Sequence, residues 1–268
     1  MHDFLKQVEE LLQDAFSGQT LLGQTGAHLC LAPDAKRVRP MLVGCYAEAL
    51  GVELERVVPL AISVELIHSA SLFHDDVIDA GSTRRGRATV NTQWTNSIAI
   101  LSGNHVLSLA FKQLAEFPPR ITQEAIRVVG EMTQAAILEL QMRNSLSHTI
   151  EDWRCMVNGK TGSLFGFCGT CVAVYAGNPE ASQALGKSGE HIGQVFQLAD
   201  DLNDIEEDIQ NQEASYPRLM GLTGQKNPKA ACEKELKKQA EKAFEALGNW
   251  GATSGGQRVK TWLEQLAS

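Results

Sequence analysis

The chain has 268 residues and a formal net charge of −8 at pH 7, with 43% hydrophobic and 21% charged residues. This length allows one large core, and residues 1–268 are predicted to form a single domain. The acidic balance disfavours nucleic-acid binding, because such a surface must be basic. Residues 1–10 lack the apolar stretch of a secretory signal, so a cytoplasmic protein is the expectation.

In chain order, apolar residues recur at three- and four-residue steps and strand-like alternation is almost absent, which predicts an all-α fold. Pro59 is expected to open a central helix that continues to about Asp79, since the first helical position needs no N–H donor. Residues 229–247 predict an outer amphipathic helix, and residues 251–257 a flexible connection to a short last helix. The breaks that divide the chain into about ten helices are Pro33-Asp34, Gly51, Pro59, Pro118-Pro119, Asn178-Pro179, Pro217 and Asn227-Pro228.

The longest apolar run, residues 164–177, is shorter than the about 20 residues that a membrane-spanning helix needs. A buried helix is predicted there, and no membrane is required. Cys168 and Cys171 in this run form a lone C-x-x-C motif. Because no second pair or suitably spaced histidine accompanies them, packing is favoured over zinc binding or redox chemistry.

Two aspartate clusters carry the strongest chemical signal. The first includes Asp75, Asp76 and Asp79, and the second Asp200, Asp201 and Asp204. Each follows an apolar helical run with D-D-x-x-D spacing, so the first and last aspartates share one helix face. Carboxylates this close repel one another and need cations, and hard oxygen ligands completed by phosphates are typical of magnesium. A single copy is compatible with a solvated helix end, but two copies with identical spacing favour a metal site.

Basic residues form two further clusters, at 36–39 and 84–87. Arginine binds phosphate oxygens in a bidentate fashion and lysine adds a point charge, so basic groups beside acidic ones predict a diphosphate site. Weak surface ion pairs are the alternative. His68 lies two helical turns before Asp75 on the same face, which favours a position in the cavity over that of an ordinary core histidine.

These motifs, from about Lys36 to Leu222, resemble those of the trans-prenyl diphosphate synthases, also called polyprenyl synthetases. The matching segments are KRVRP (36–40), ELIHSASLFHDDVID (65–79), RRGRATVN (84–91), GKTGSLF (159–165), FQLADDLND (196–204) and SYPRLMGL (215–222). The resemblance implies a helical bundle of the isoprenoid synthase type with a large central cavity, usually a homodimer. It implies a Mg²⁺-dependent condensation in which an allylic diphosphate ionises and the double bond of isopentenyl diphosphate attacks it.

The resemblance also implies a role for each matching residue. It assigns the first magnesium site to Asp75 and Asp79, with Asp76 in support, and the second to Asp200, Asp201 and Asp204. The residues that match ligands of isopentenyl diphosphate are Lys36, Arg39, His68 and Arg85. Those that match ligands of the allylic diphosphate are Arg84, Lys160, Thr161 and Gln197. The six aspartates and Lys160 form the predicted catalytic set.

The chain departs from the family pattern after the second aspartate cluster. Family members carry lysines there that reach the allylic diphosphate, whereas residues 205–215 are acidic and no lysine occurs between Asp201 and Lys226. The family's usual Gly-Gly before the first basic cluster is Asp34-Ala35 here, and its usual Gly-Asp after the second is Gly103-Asn104. Losing such a cation is expected to cost a few kcal/mol of barrier, or on the order of a hundredfold in rate. We therefore expect a slow enzyme, or one completed by another chain.

Product length depends on the residues that precede Asp75. Family members that stop at fifteen carbons commonly place an aromatic residue four or five positions earlier, where this chain has the small Ser71 and Ala70. Phe73 is expected to point away from the channel. Products of twenty carbons or more are predicted, unless Phe111 or a partner subunit supplies the floor.

Two other functions are weighed against this one. A weakly active or non-catalytic subunit of a heteromeric synthase would explain the missing lysines, but both aspartate clusters are intact. A terpene cyclase is less favoured, because the second metal motif of cyclases fails at Glu207 and Asn211.

Overall fold

Helices dominate the computed structural model, which describes residues 1–143 and 147–267. The α-helices of these residues are α1 (His2–Ala15), α2 (Leu21–Cys30), α3 (Val38–Leu50), α4 (Leu54–Ile78), α5 (Val90–Gln93), α6 (Asn96–Leu114), α7 (Pro119–Met142), α8 (Ile150–Val157), α9 (Ser163–Tyr175), α10 (Pro179–Asn203), α11 (Ile205–Asn211), α12 (Tyr216–Leu222), α13 (Pro228–Glu245) and α14 (Ser254–Leu266). The all-α prediction is confirmed. The helices outnumber the predicted ten because α5, α11 and α12 are too short to show periodicity.

Three irregular elements join these helices. A π-helical segment (Asn158–Gly162) links α8 to α9, and a 3₁₀ segment (Gly248–Ala252) precedes α14. An antiparallel hairpin of β1 (Thr83–Arg84) and β2 (Arg87–Ala88) follows α4. The turn residues Arg85 and Gly86 both have positive φ, 53° and 69°, as the tightest two-residue hairpins require.

Helix α4 forms the centre of the fold, because apolar residues occupy most of its sides and it packs against α1, α3, α6 and α9. It is long and apolar enough to cross a membrane, but 78% of its apolar stretch is buried within the protein. That burial is typical of the core helix of a globular protein. The run at residues 164–177 forms most of α9 and is largely buried, so the predicted buried helix is confirmed.

The prediction that Pro59 opens the central helix was also wrong. Helix α4 begins at Leu54, and Pro59 lies in its second turn. The missing N–H of Pro59 leaves the carbonyl of Glu55 without its usual helical partner, which is tolerated because Glu55 is exposed to water. The Ser63 hydroxyl donates a hydrogen bond of 2.8 Å to the Pro59 carbonyl.

Helices α9 and α10 pack against each other more extensively than any other described pair. A Cβ atom on Gly189 would lie 2.2 Å from the carbonyl oxygen of Phe165, and one on Gly169 would lie 2.6 Å from Leu185. The two backbones therefore approach where only glycine fits. Cys168 and Cys171 are fully buried in α9, in agreement with their predicted packing role.

The sequence predicted the break before α10 correctly, but its prediction for residues 251–257 was wrong. Helix α10 begins at the predicted Asn178-Pro179 break, with the Asn178 side chain accepting a hydrogen bond from the backbone N–H of Ala181. Residues 251–257 are not a flexible connection, because they form the end of the 3₁₀ segment and the start of α14. A Cβ atom on Gly255 would lie 2.0 Å from the Cys45 carbonyl oxygen, so this glycine serves close packing against α3.

Candidate active site

A cavity of about 820 Å³ opens between α4, α7, α10 and the hairpin. Its volume lies in the range of small-molecule sites. The predicted site residues that line it are Lys36, Arg39, His68, Ala70, Ser71, Asp75, Asp79, Arg84, Arg85, Lys160, Thr161, Gln197 and Asp200. The fold therefore brings together most of a set that the sequence spreads over 165 positions, from 36 to 200.

Three predicted aspartates lie outside this lining: Asp76, Asp201 and Asp204. Neighbouring helix positions point about 100° apart, so Asp76 faces away when Asp75 faces the cavity. The same argument separates Asp201 from Asp200. Asp204 is exposed at the C-cap of α10, where the chain has left helical geometry with φ −109° and ψ 18°. The predicted part of Asp201 and Asp204 in the second metal site therefore has no support from their placement, whereas the position of Asp76 agrees with its predicted supporting role beside Asp75.

The two buried aspartates, Asp76 and Asp201, instead accept hydrogen bonds from neighbouring residues of the site. Asp76 accepts a hydrogen bond of 2.7 Å from the Nε of Arg84, while its second oxygen is buried without a partner. Asp201 accepts hydrogen bonds from Trp153 Nε1 (3.2 Å), the backbone of Tyr216 (2.8 Å) and Gln197 Nε2 (2.9 Å). Burial raises the pKa of Asp201 to about 7, although these hydrogen bonds oppose the shift. Asp201 therefore joins α8, α10 and α12 and fixes Gln197 at the cavity wall.

Of the aspartates that line the cavity, Asp75 is half-buried, whereas Asp79 and Asp200 are exposed. Burial raises the pKa of Asp75, and the nearby Glu139 and Asp79 raise it further against the opposing charge of Lys160. Burial likewise raises the pKa of Asp200, with Lys36 and Arg39 opposing the shift. Ionised carboxylates in such surroundings are stabilised by cations.

The donor set of the cavity fits a magnesium ion. In residues 1–143 and 147–267 there is no group of three or more His, Cys, Asp or Glu side chains placed to hold a metal ion alone. Magnesium differs from zinc in this respect, because it commonly takes one or two carboxylates and completes its shell with water and substrate phosphates. Asp75 and Asp79 on one helix end, and Asp200 on another, offer carboxylates of that kind.

Cationic groups face these carboxylates from several elements. Lys160 and Thr161 lie in the π-helical segment, a type of distortion that is frequent at functional sites. Lys160 forms an ion pair with Glu139 of α7. The Arg39 guanidinium lies 4.4 Å from the centre of the Phe165 ring, and its Nε is buried without a hydrogen-bond partner. Burial and nearby arginines lower the pKa of His68 well below its usual value, which favours the neutral imidazole.

Sequence reasoning missed the buried ion-pair network beneath the first basic cluster. Arg37 has φ 49° and donates hydrogen bonds to Glu65 (2.7 Å), to the Cys30 carbonyl (2.7 Å) and to Glu9. The network joins α1 and α4 to the turn that carries the predicted ligands Lys36 and Arg39. A buried charge at position 65, in the middle of an apolar helix, was the signal that could have revealed it.

Part of the cavity lining is apolar. Leu107 of α6 and Val129, Met132 and Ala136 of α7 line the cavity together with the small residues predicted to set product length. Phe73 is fully buried outside the lining, as its predicted direction requires. Phe111, the alternative floor, does not line the cavity either. The cavity lining thus combines charged groups with apolar side chains.

This fold and site define a helical protein whose cavity can hold both an anionic head group and an apolar chain. Residues 20–247 match the polyprenyl synthetase family. The chain belongs to this family. It is 32% identical over 203 residues to an octaprenyl diphosphate synthase of Escherichia coli, across 74% of this chain and 62% of that protein. It thus spans about three fifths of the length of this relative.

Solved structures agree on the fold. The structure is similar to a decaprenyl diphosphate synthase from Rhodobacter capsulatus, with a TM-score of 0.92 and 23% identity over 99% of this chain and 96% of that one. It is also similar to a polyprenyl synthase from Caulobacter crescentus complexed with calcium and isoprenyl diphosphate. There the TM-score is 0.91 and the identity 22%, over 100% of this chain and 95% of that one.

Proposed function

We propose that this chain condenses isopentenyl diphosphate with an allylic prenyl diphosphate to give a linear polyprenyl diphosphate. The observation that carries the proposal is a cavity whose lining combines Asp75, Asp79 and Asp200 with lysines, arginines and apolar side chains of α6 and α7. A diphosphate matches the charged groups and a growing hydrocarbon chain matches the apolar side chains. The family to which the chain belongs supports the same reaction.

In this proposal, two groups of residues bind the two substrates. Lys36, Arg39 and Arg85, with the neutral His68, hold isopentenyl diphosphate at one side. Arg84, Lys160, Thr161 and Gln197 hold the allylic diphosphate at the other. Magnesium held by Asp75, Asp79 and Asp200 would supply charge neutralisation for the departing diphosphate. The chain's own residues keep the diphosphate at the charged groups, so that the allylic carbon lies toward the apolar wall.

The reaction breaks the C–O bond of the allylic diphosphate and forms one C–C bond to isopentenyl diphosphate. The proton lost from the new chain leaves with the released diphosphate. A dry wall around the allylic carbon favours this outcome, because water would otherwise capture the cation. Leu107 and Met132 belong to that wall.

We propose a product of at least twenty carbons. Ala70 and Ser71 line the cavity, and both are too small to block a chain that grows from Asp75 toward α7. The name of the octaprenyl diphosphate synthase of Escherichia coli agrees with a long product.

The assembly and location of the protein also belong to the proposal. We propose a homodimer in the cytoplasm that needs neither a membrane nor a nucleic acid. A non-catalytic subunit of a heteromeric synthase is not favoured, because the cavity keeps carboxylates from both aspartate clusters together with its arginines and Lys160.

The test is incubation of the purified full chain with magnesium, labelled isopentenyl diphosphate and allylic primers of several lengths, followed by product sizing. We expect a ladder ending at twenty carbons or more, and none in chelator. Arg85→Ala should raise the KM for isopentenyl diphosphate more than that for the primer, and Lys160→Ala the reverse. No product with any primer, while the folded protein elutes as a dimer, would refute the catalytic proposal. Light scattering of the same preparation measures the oligomeric state.

A further inference from the structure

Arg143, at the C-terminal end of α7, connects the first aspartate cluster with the segment that follows the second. Its Nη2 lies 2.8 Å from Asp79 Oδ1, and its Nε lies 3.0 Å from Glu213 Oε2. Asp79 lines the cavity, and Glu213 follows α11. One guanidinium therefore joins two carboxylates that are 134 positions apart in the sequence.

The segment after the second cluster supplies negative charge and no cation of its own. Residues 202–217 contain several carboxylates, including Glu206, Glu207 and Asp208, and neither lysine nor arginine. A diphosphate near Asp200 would meet repulsion from Asp204, whose charge already acts on Asp200. Arg143 is a cation that reaches the segment from another helix.

The Arg143 side chain has an N–H group that makes no hydrogen bond. A guanidinium has five N–H donors. The Nε, although 3.0 Å from Glu213, has no hydrogen bond of acceptable geometry and is buried. The carboxylates of Asp79 and Glu213 raise the pKa of Arg143 against the effect of burial, so the charge persists. Planar bidentate recognition of phosphate oxygens is the chemistry that such a group performs well.

Asp79 is at the same time a carboxylate that fits a divalent cation. A cation that binds Asp79 competes with Arg143 for the same oxygens, and the guanidinium must then find another anion. We propose that Arg143 is a diphosphate-binding residue of this site, which exchanges the Asp79 carboxylate for diphosphate oxygens once a divalent cation takes that carboxylate. The inference rests on the proposed function and adds a ligand that compensates for the acidic segment.

The test uses two probes on the full-length protein: Mn²⁺ alone, followed by electron paramagnetic resonance, and inorganic pyrophosphate at saturating Mg²⁺, followed by calorimetry. The variants are Arg143→Gln and Arg143→Lys. Neither Arg143 nor Arg127 lines the cavity itself, but Arg143 pairs with Asp79, which does. Arg127→Gln is therefore the matched control, because Arg127 lies on α7 and pairs only with Glu124 and Glu131, which do not line the cavity. Thermal melting confirms that each variant is folded.

We expect Arg143→Gln to change the affinities for pyrophosphate and for Mn²⁺ in opposite directions. Arg143→Gln should weaken pyrophosphate binding by about 10- to 100-fold, the range for a lost charge-assisted hydrogen bond. It should bind Mn²⁺ alone more tightly, because Asp79 has lost its competitor. Arg143→Lys should lie between wild type and Arg143→Gln for pyrophosphate, and Arg127→Gln should match wild type for both probes.

Unchanged pyrophosphate affinity in Arg143→Gln would overturn the inference and leave the proposed function standing. Weaker binding of both probes would overturn it as well, since that pattern indicates a merely structural role. A wild-type protein that fails to bind pyrophosphate with magnesium would overturn the inference and the proposed function together.

Discussion

Asp76→Ala removes the carboxylate that holds Arg84, and we expect it to weaken binding of the allylic diphosphate while turnover persists. The ion pair is 2.7 Å long, and the side chain of Asp76 is 3% exposed while that of Arg84 is 34% exposed. A hydrogen bond to a charged group is worth about 1.5–3 kcal/mol, or roughly 10- to 150-fold in an equilibrium constant. Because a third of Arg84 meets water, the lower end applies, and KM should rise about tenfold.

The assay is steady-state kinetics with the allylic substrate varied at saturating isopentenyl diphosphate and magnesium. Asp75→Ala is the matched comparison, since the neighbouring side chain faces the cavity and fits the metal. It should lower kcat by at least about a hundredfold. Asp76→Asn keeps the shape and an acceptor oxygen, so its KM should lie between those of wild type and Asp76→Ala. If Asp76→Ala lowers kcat as severely as Asp75→Ala with KM unchanged, Asp76 acts on the metal and our reasoning is wrong.

Three further predictions concern metal, product length and packing. Asp200→Ala should lower turnover by at least about a hundredfold, and turnover near that of wild type would argue against a second carboxylate face. Ala70→Phe should shorten the product seen by chromatography, because the ring fills cavity space beside α4; an unchanged product would place the floor elsewhere. Gly189→Ala should destabilise the protein by about 1–3 kcal/mol in chemical denaturation, because its Cβ would meet the Phe165 carbonyl. Gly130→Ala, which meets nothing within 4 Å, is the control and should not be destabilised.

The sequence by itself determined the helical class and the identity of the charged groups at the site. Helical periodicity and the Asn178-Pro179 pair at the start of α10 are local patterns, so they can be recognised without knowledge of the fold. The pairing of Asp75 with Asp79 is also local, since residues four apart share a helix face. The order of the motifs added the family and, with it, residues such as Gln197 that no periodicity singles out.

Only the tertiary structure decided what the neighbouring aspartates do. The D-D-x-x-D pattern does not distinguish Asp75 from Asp76, because the side of α4 that faces the cavity depends on how α4 packs against α6 and α9. Once that rotation is set, Asp76 meets Arg84 and Asp201 meets Trp153 and Tyr216. The sequence contained these residues but not their partners.

Long-range contacts set the remaining features for the same reason. Gly255 reads as a flexible residue in the sequence, yet it packs against Cys45 of α3, more than two hundred positions away. Arg143 and Glu213 form an ion pair, although nothing in either local sequence predicts the other. Local patterns fix what each segment can form, whereas the pairing of distant charges and glycines is fixed only when the helices pack and exclude water between them.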